Sequence, residues 1–188
     1  FLDRAGDAVG VEFCLNVTRT PAGILGASAG DPRAVVADLA TRAREAIAVE
    51  VTNSYDAVVA GVGAPKDVNL YQASRGATYV ALGPHNPLRP GGRLVVPAEL
   101  PEGAGQGTGE RRFQTWLSTA SDPASLYEEM RAGYEPGAQR AFVLARVLCD
   151  HPVTVTNSTC PDLVEDCLLE AAPTVEAALG DTTGGDPD

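Results

Sequence analysis

Short apolar segments alternate with amphipathic helical segments in this sequence, and this alternation constrains the fold more than any other feature. Three segments, residues 56–60, 93–98 and 153–156, have the length and apolar composition of buried strands. Strands that alternate with helices form parallel sheets, because the helices make the crossover connections and cover the faces. The sequence therefore predicts an α/β fold with a mainly parallel sheet covered by helices on both faces.

The helices are predicted from start signals and apolar spacing. In the first, Asp31 has the character of an N-cap and Pro32 that of a first-turn residue, and the helix extends to about residue 49. Further helices are predicted at residues 67–82, 111–120, 123–131 and 138–149, with a short helix from Pro161.

The N-terminal segment predicts an antiparallel hairpin at one edge of the sheet. Its strands are residues 9–17 and 24–29, and the turn between them contains proline and glycine. We expect residues 1–180 to form a single α/β domain and the polar, glycine-rich residues 181–188 to be a disordered tail.

Composition and charge exclude several classes of protein. The formal net charge is −11, which argues against duplex DNA or an anionic membrane as a partner. No apolar run approaches the roughly 18 residues of a membrane span, and the N-terminus lacks the pattern of a signal peptide. The only methionine is Met130. We therefore expect a soluble, cytoplasmic chain that is one piece of a larger protein.

The cysteines and histidines predict neither disulfides nor a metal site. Cys14 and Cys149 lie in apolar runs, which favours buried free thiols in a reducing compartment. His85 and His151 lie beside prolines, and no cysteine has the spacing of a zinc ligand. With only these two histidines, a Ser-His-Asp hydrolase within this chain is not expected.

The loop after the first buried strand is the strongest candidate for a binding site. Residues 61–66 join that strand to a helix, and ligands of open α/β sheets bind at this edge. Lys66 is the only lysine and opposes the helix dipole, which favours an anionic ligand. The structural alternative is a tight turn in which Asp67 is the helix N-cap and pairs with Lys66.

The helix after this loop predicts a group of substrate-binding side chains. Tyr71, Gln72 and Arg75 share one side of it, and they are suitable donors to a small carboxylate. The alternative is an ordinary solvated helix face. The glycine-rich residues 102–109 are a lid or a flexible loop, and Phe113 and Trp116 are expected to be core aromatics.

Four stretches together resemble a known family. They are Glu12-Phe13-Cys14-Leu15-Asn16-Val17, Gly30-Asp31-Pro32, Pro65-Lys66-Asp67-Val68-Asn69-Leu70-Tyr71-Gln72, and Glu102-Gly103-Ala104-Gly105 followed by Phe113 and Trp116. From about Gly10 to Leu179, the chain resembles the C-terminal domain of the nickel-dependent lactate racemase family, whose members use a nickel-pincer nucleotide.

This resemblance implies a two-domain enzyme that inverts a 2-hydroxy acid by moving a hydride onto the cofactor and back. It also implies that the N-terminal domain carries the catalytic residues and holds the nickel-pincer nucleotide, and that no catalytic or metal-binding residue lies in this chain. This chain would cover the site and hold the substrate through Tyr71 and Gln72. Arg75 stands where lactate racemases have lysine, so a 2-hydroxy acid related to lactate is at least as good a candidate substrate.

Two other classes of function remain open from the residues alone. Gly61-Val62-Gly63 begins like a dinucleotide fingerprint, and residues 88–94 resemble a turn of enzymes that bind S-adenosylmethionine, so a Rossmann-like nucleotide-binding domain is one alternative. A non-catalytic binding domain is the other.

Overall fold

A computed structural model describes residues 2–180, and the chain falls into two compact units that divide between Val51 and Thr52. Residues 1–180 are predicted to form a single domain, whereas the described residues group into two units. The predicted tail, residues 181–188, lies outside the described residues. The first unit contains α1 (Leu2–Val9), β1 (Cys14–Thr20), β2 (Gly23–Gly30) and α2 (Pro32–Ile47).

The second unit contains the remaining helices and strands. They are β3 (Tyr55–Val59), a 3₁₀ turn (Lys66–Val68), α3 (Leu70–Ala81), β4 (Leu88–Pro97), α4 (Thr108–Thr119), α5 (Pro123–Ala132), α6 (Gln139–Asp150), β5 (Val153–Thr156), α7 (Pro161–Asp166), β6 (Glu170–Ala172) and α8 (Val175–Gly180). The last strand and last helix were not predicted.

The hairpin of the first unit is antiparallel, as predicted, but it does not extend the parallel sheet. β1 and β2 form a two-stranded sheet of their own, and β1 begins at Cys14 because α1 extends to Val9 and residues 10–13 are irregular. The physical reason is a local packing partner. Small residues such as Gly26 let α2 lie close, since a Cβ at Gly26 would be 3.8 Å from Leu39 Cδ2.

The second unit confirms the predicted parallel α/β fold. Its sheet has the order β3-β4-β5-β6, and every neighbouring pair is parallel. Leu94, Val95 and Val96 are consecutive in β4 and all almost fully buried. Because consecutive strand residues point to opposite faces, both faces of the sheet are covered. None of the helices in residues 2–180 has the length and apolar character to cross a membrane.

The cysteines are all free, but the prediction that Cys14 and Cys149 are buried is wrong. Cys149 is exposed, because it lies off the buried stripe of α6 that Ala141, Leu144 and Ala145 form. Cys14 is half-buried. Cys167 is the buried thiol, and burial raises its pKa to about 12.

Helix α3 lies close to the end of β3 at Gly76. A Cβ at this position would lie 2.8 Å from Val62 Cγ1 and 3.2 Å from the carbonyl oxygen of Ala60. Glycine therefore lets the helix lie directly against the segment that leaves the carboxyl end of the strand.

Replacing Gly76 by valine should destabilise the second unit. The added side chain would overlap Val62 and the Ala60 carbonyl, and overpacking of this kind costs about 1–3 kcal/mol. Urea unfolding followed by the fluorescence of Trp116 measures the change. The matched control is Gly61→Val, because a Cβ at Gly61 meets no atom within 4 Å. Equal stability of the two variants would contradict the close approach.

Candidate functional site

Three loops meet at the carboxyl edge of the parallel sheet. The loop after β3 bonds to the loop after β4: Leu100 N–H donates to the Asp67 carbonyl at 2.9 Å, and Leu70 N–H donates to the Gly103 carbonyl at 2.8 Å. The segment after β5 joins them, since Thr159 N–H donates to the Glu99 carbonyl at 2.8 Å. Main-chain hydrogen bonds thus hold together three loops at this edge, the first of which, residues 61–66, was predicted to lie there.

Turns form the first half of the glycine-rich loop, residues 102–105. The sequence alone left open whether this loop is a lid or a flexible loop. Gly103 N–H donates to the Leu100 carbonyl, and Gly105 N–H donates to the Glu102 carbonyl. Gly105 has a φ of +106°, and a Cβ there would lie 2.5 Å from Glu110 Oε2. Backbone conformation and space both require glycine at this position.

The N-cap of α3 is Asn69, so the structural alternative in which Asp67 is the N-cap is wrong. Asn69 Oδ1 accepts the Gln72 N–H at 2.9 Å, because the 3₁₀ turn delays the start of the helix by three residues. Lys66 lies in that turn and is exposed, and among the described residues it forms no ion pair with Asp67 or any other acidic group.

Tyr71 lies between three helices. It is half-buried, and its ring meets Phe113 of α4 edge to face, with 5.5 Å between the ring centroids. The guanidinium carbon of Arg140, on α6, lies 5.5 Å from the centroid of the Tyr71 ring. Tyr71 is thus a packed residue with a cation over its ring.

Gln72 and Arg75 are also half-buried, so the three side chains do not form a fully solvated face. The Nε atom of Arg75 is buried and has no hydrogen-bond partner among the described residues. Arg75 Nε is therefore a buried donor that no group in the described residues satisfies. The structure thus brings Tyr71, Gln72 and Arg75 together on α3, and Lys66 precedes them in an exposed turn.

Arg140 is the residue that the sequence analysis missed. It lies about 65 residues after Arg75 in the chain, and only the packing of α6 against α3 brings it to Tyr71. Its Nη1 atom is buried and has no hydrogen-bond partner in residues 2–180. No sequence motif marks it, because its position depends on tertiary structure.

The two expected core aromatics differ in burial. Phe113 is fully buried, whereas Trp116 packs against the core and donates its Nε1–H to Glu135 Oε2 at 3.0 Å.

One of the two histidines is buried and the other is exposed. His151 is buried after α6, with Nδ1 2.9 Å from the Gly92 carbonyl oxygen and Nε2 3.3 Å from Asn86 Nδ2. His85 is exposed. The described part of the chain contains no cluster of three or more histidine, cysteine or acidic side chains that could hold a metal ion.

Comparison with known proteins assigns the fold to a family. The fold and loop geometry define a parallel α/β domain with its candidate site at the carboxyl edge of the sheet. Residues 49–184 match the model of the lactate racemase C-terminal domain. The chain belongs to the lactate racemase C-terminal domain family.

Two relatives support this assignment. The chain is 29% identical over 161 residues to the lactate racemase of Lactiplantibacillus plantarum, an alignment that covers 83% of this chain and 36% of that protein. It superposes on the lactate racemase apoprotein of Thermoanaerobacterium thermosaccharolyticum with a TM-score of 0.81 and 23% identity, over 96% of this chain and 43% of the other. The superposition, at 23% identity, is a likeness of fold alone. The chain therefore spans less than half the length of either relative.

Replacing Asn69 by alanine should destabilise the second unit by about 1 kcal/mol, because the Gln72 N–H loses its cap. Asn69→Ser should retain most of the stability, since serine also caps helices. Urea unfolding monitored by the fluorescence of Trp116 compares the two variants. An alanine variant as stable as the parent would show that the cap contributes nothing.

Proposed function

We propose that this chain is the substrate-covering part of a lactate-racemase-like enzyme that racemises or epimerises a 2-hydroxy acid. Arg75 binds the carboxylate of the substrate, and Gln72 and Tyr71 support it from the same helix. Lys66 lies nearby in sequence and adds a positive charge that attracts the anionic substrate. The catalytic groups belong to an N-terminal domain of the same enzyme, which is the partner of this chain.

The observation that carries the proposal is the unpartnered Nε of Arg75. The chain has 25 acidic residues against 14 lysines and arginines, so carboxylates are abundant. None of those in the described residues pairs with Arg75. A guanidinium left without a protein carboxylate at the carboxyl edge of a parallel sheet is suited to a ligand carboxylate.

The described residues of this chain do not fit a nickel-pincer cofactor as metal ligands. His151 has both ring nitrogens engaged, and His85 is exposed without a cluster of ligands around it. Under the proposal, the nickel-pincer nucleotide is bound by the N-terminal domain, and this chain binds and orients the substrate.

In the complete enzyme, Arg75→Ala should raise the Michaelis constant about ten- to a hundredfold. The reason is the loss of a charge-assisted hydrogen bond, worth about 1.5–3 kcal/mol. Cofactor content and melting temperature should stay close to those of the parent. Arg75→Lys should retain part of the activity and shift the preference toward lactate.

The matched control for this measurement is Arg146→Ala. Arg146 is an exposed arginine of α6, and its Nε lies 3.7 Å from Asp150 Oδ2. Replacing Arg146 by alanine therefore also removes one positive charge, but from a helix other than α3. If Arg75→Ala and Arg146→Ala both behave like the parent, Arg75 does not bind the substrate.

The chain of residues 1–188 alone should not bind nickel stoichiometrically and should not racemise lactate, because under this proposal the nickel ligands and catalytic groups belong to the other domain. Metal analysis after incubation with Ni²⁺ and gel filtration measures the content. One tightly bound nickel per chain would place the metal site here instead.

A further inference from the structure

Arg75 and Arg140 differ from the other arginines of the second unit. Within the described residues, each of the other arginines makes an ion pair or donates a hydrogen bond. The other arginines are Arg89, Arg93, Arg111, Arg112, Arg131 and Arg146. Arg75 and Arg140 make neither, and each has a buried nitrogen without a partner. Both lie next to Tyr71: Arg75 is one turn later on α3, and Arg140 stacks over the ring.

The surroundings of Arg140 favour an anion. Tyr71, Gly109 and Arg140 are the second residues of α3, α4 and α6, which each have 12 residues. A Cβ at Gly109 would lie 3.8 Å from the Tyr71 hydroxyl oxygen, and one at Gly137 would lie 3.4 Å from Gly109 Cα. The N-terminal ends of three helices therefore meet around Tyr71, and each end favours negative charge.

Two carboxylates close in sequence to these helix starts, Glu110 beside Gly109 and Glu135 before Arg140, are engaged elsewhere. Glu110 accepts the Gly107 N–H at 2.5 Å, at the start of its own helix. Glu135 Oε2 accepts the Trp116 Nε1–H at 3.0 Å, and Glu135 Oε1 lies 3.7 Å from Arg112 Nε. The positive charge at Arg140 is thus not neutralised by these side chains.

We propose that Arg140 forms a second anion position beside Arg75, so that the substrate is a 2-hydroxy acid with a second carboxylate. The proposal rests on the proposed function, in which Arg75 binds the first carboxylate. Stacking on Tyr71 holds the Arg140 guanidinium on α6, apart from the helix that carries Arg75. Two cations on separate helices, each with an unpartnered nitrogen, are best neutralised by two anionic groups of one ligand.

Binding of three small acids to the 188-residue chain tests this inference. The probes are malate, a 2-hydroxy acid with two carboxylates; lactate, with one carboxylate; and succinate, with two carboxylates but no hydroxyl. Nuclear magnetic resonance titrations give each dissociation constant. Malate should bind about tenfold or more tightly than lactate, since a second charge-assisted contact is formed.

Arg140→Met should weaken malate binding to the level of lactate and leave lactate binding within about twofold of the parent. Methionine retains an apolar stem on Tyr71 and removes the charge. Arg146→Met is the matched control, because it removes one charge from an exposed position of the same helix and should change neither affinity. If Arg140→Met lowers the melting temperature, Arg140→Gln repeats the measurement.

Two results would overturn the second anion position. One is equal affinity of the parent chain for malate and lactate, and the other is unchanged malate affinity in Arg140→Met. If Arg75→Ala and Arg140→Met each weaken the binding of lactate as strongly as that of malate, the two guanidiniums share one carboxylate and the inference is also wrong. A further outcome is that succinate binds as tightly as malate, with an affinity that falls in Arg140→Met. That result would support the second anion position and contradict the proposed 2-hydroxy-acid function.

Discussion

The main-chain hydrogen bonds between the start of α3 and the loop after β4 are the contacts on which the rest of the candidate site depends. They join two loops that leave neighbouring parallel strands, through Leu70 and Gly103 and through Leu100 and Asp67. Because both partners are backbone groups at a sheet edge, they fix where α3 begins. The side chains of Tyr71, Gln72 and Arg75 then follow from helical geometry.

A second constraint is electrostatic. The chain is strongly acidic, yet the two arginines beside Tyr71 have no carboxylate partner among the described residues. Side chains such as Glu110 and Glu135 instead stabilise helix starts and neighbouring donors. This arrangement leaves a local excess of positive charge at three helix N-termini, within a protein whose overall charge would repel an anion. Binding of an anionic substrate to such a domain therefore requires a local site of this kind.

The fold could be predicted from the sequence to a large extent, because the buried strands are short, apolar and separated by helices. Val153–Thr156 was predicted at its observed bounds, and α5 within one residue. The short β6 was missed because Glu170 and two alanines carry no strand signal. The hairpin was predicted as antiparallel, but the pattern alone does not reveal that β1 and β2 form a two-stranded sheet of their own.

The candidate site could be predicted only where it is local. The positions of Tyr71, Gln72 and Arg75 follow from spacing along one helix, and the family resemblance drew attention to them. The helix was predicted to begin at residue 67, three residues early, because the 3₁₀ turn at Lys66–Val68 is not visible as a pattern. Arg140 reaches Tyr71 through the packing of α6 against α3, a long-range contact for which a single sequence contains no signal.

The central claim is that the Arg75 guanidinium is completed by a ligand carboxylate. A crystal structure of this chain with a bound 2-hydroxy acid tests it most directly. We expect a carboxylate oxygen of the ligand within hydrogen-bond distance of Arg75 Nε, about 2.7–2.9 Å. A ligand bound elsewhere, with Arg75 Nε paired to a carboxylate of the chain itself, would contradict the claim.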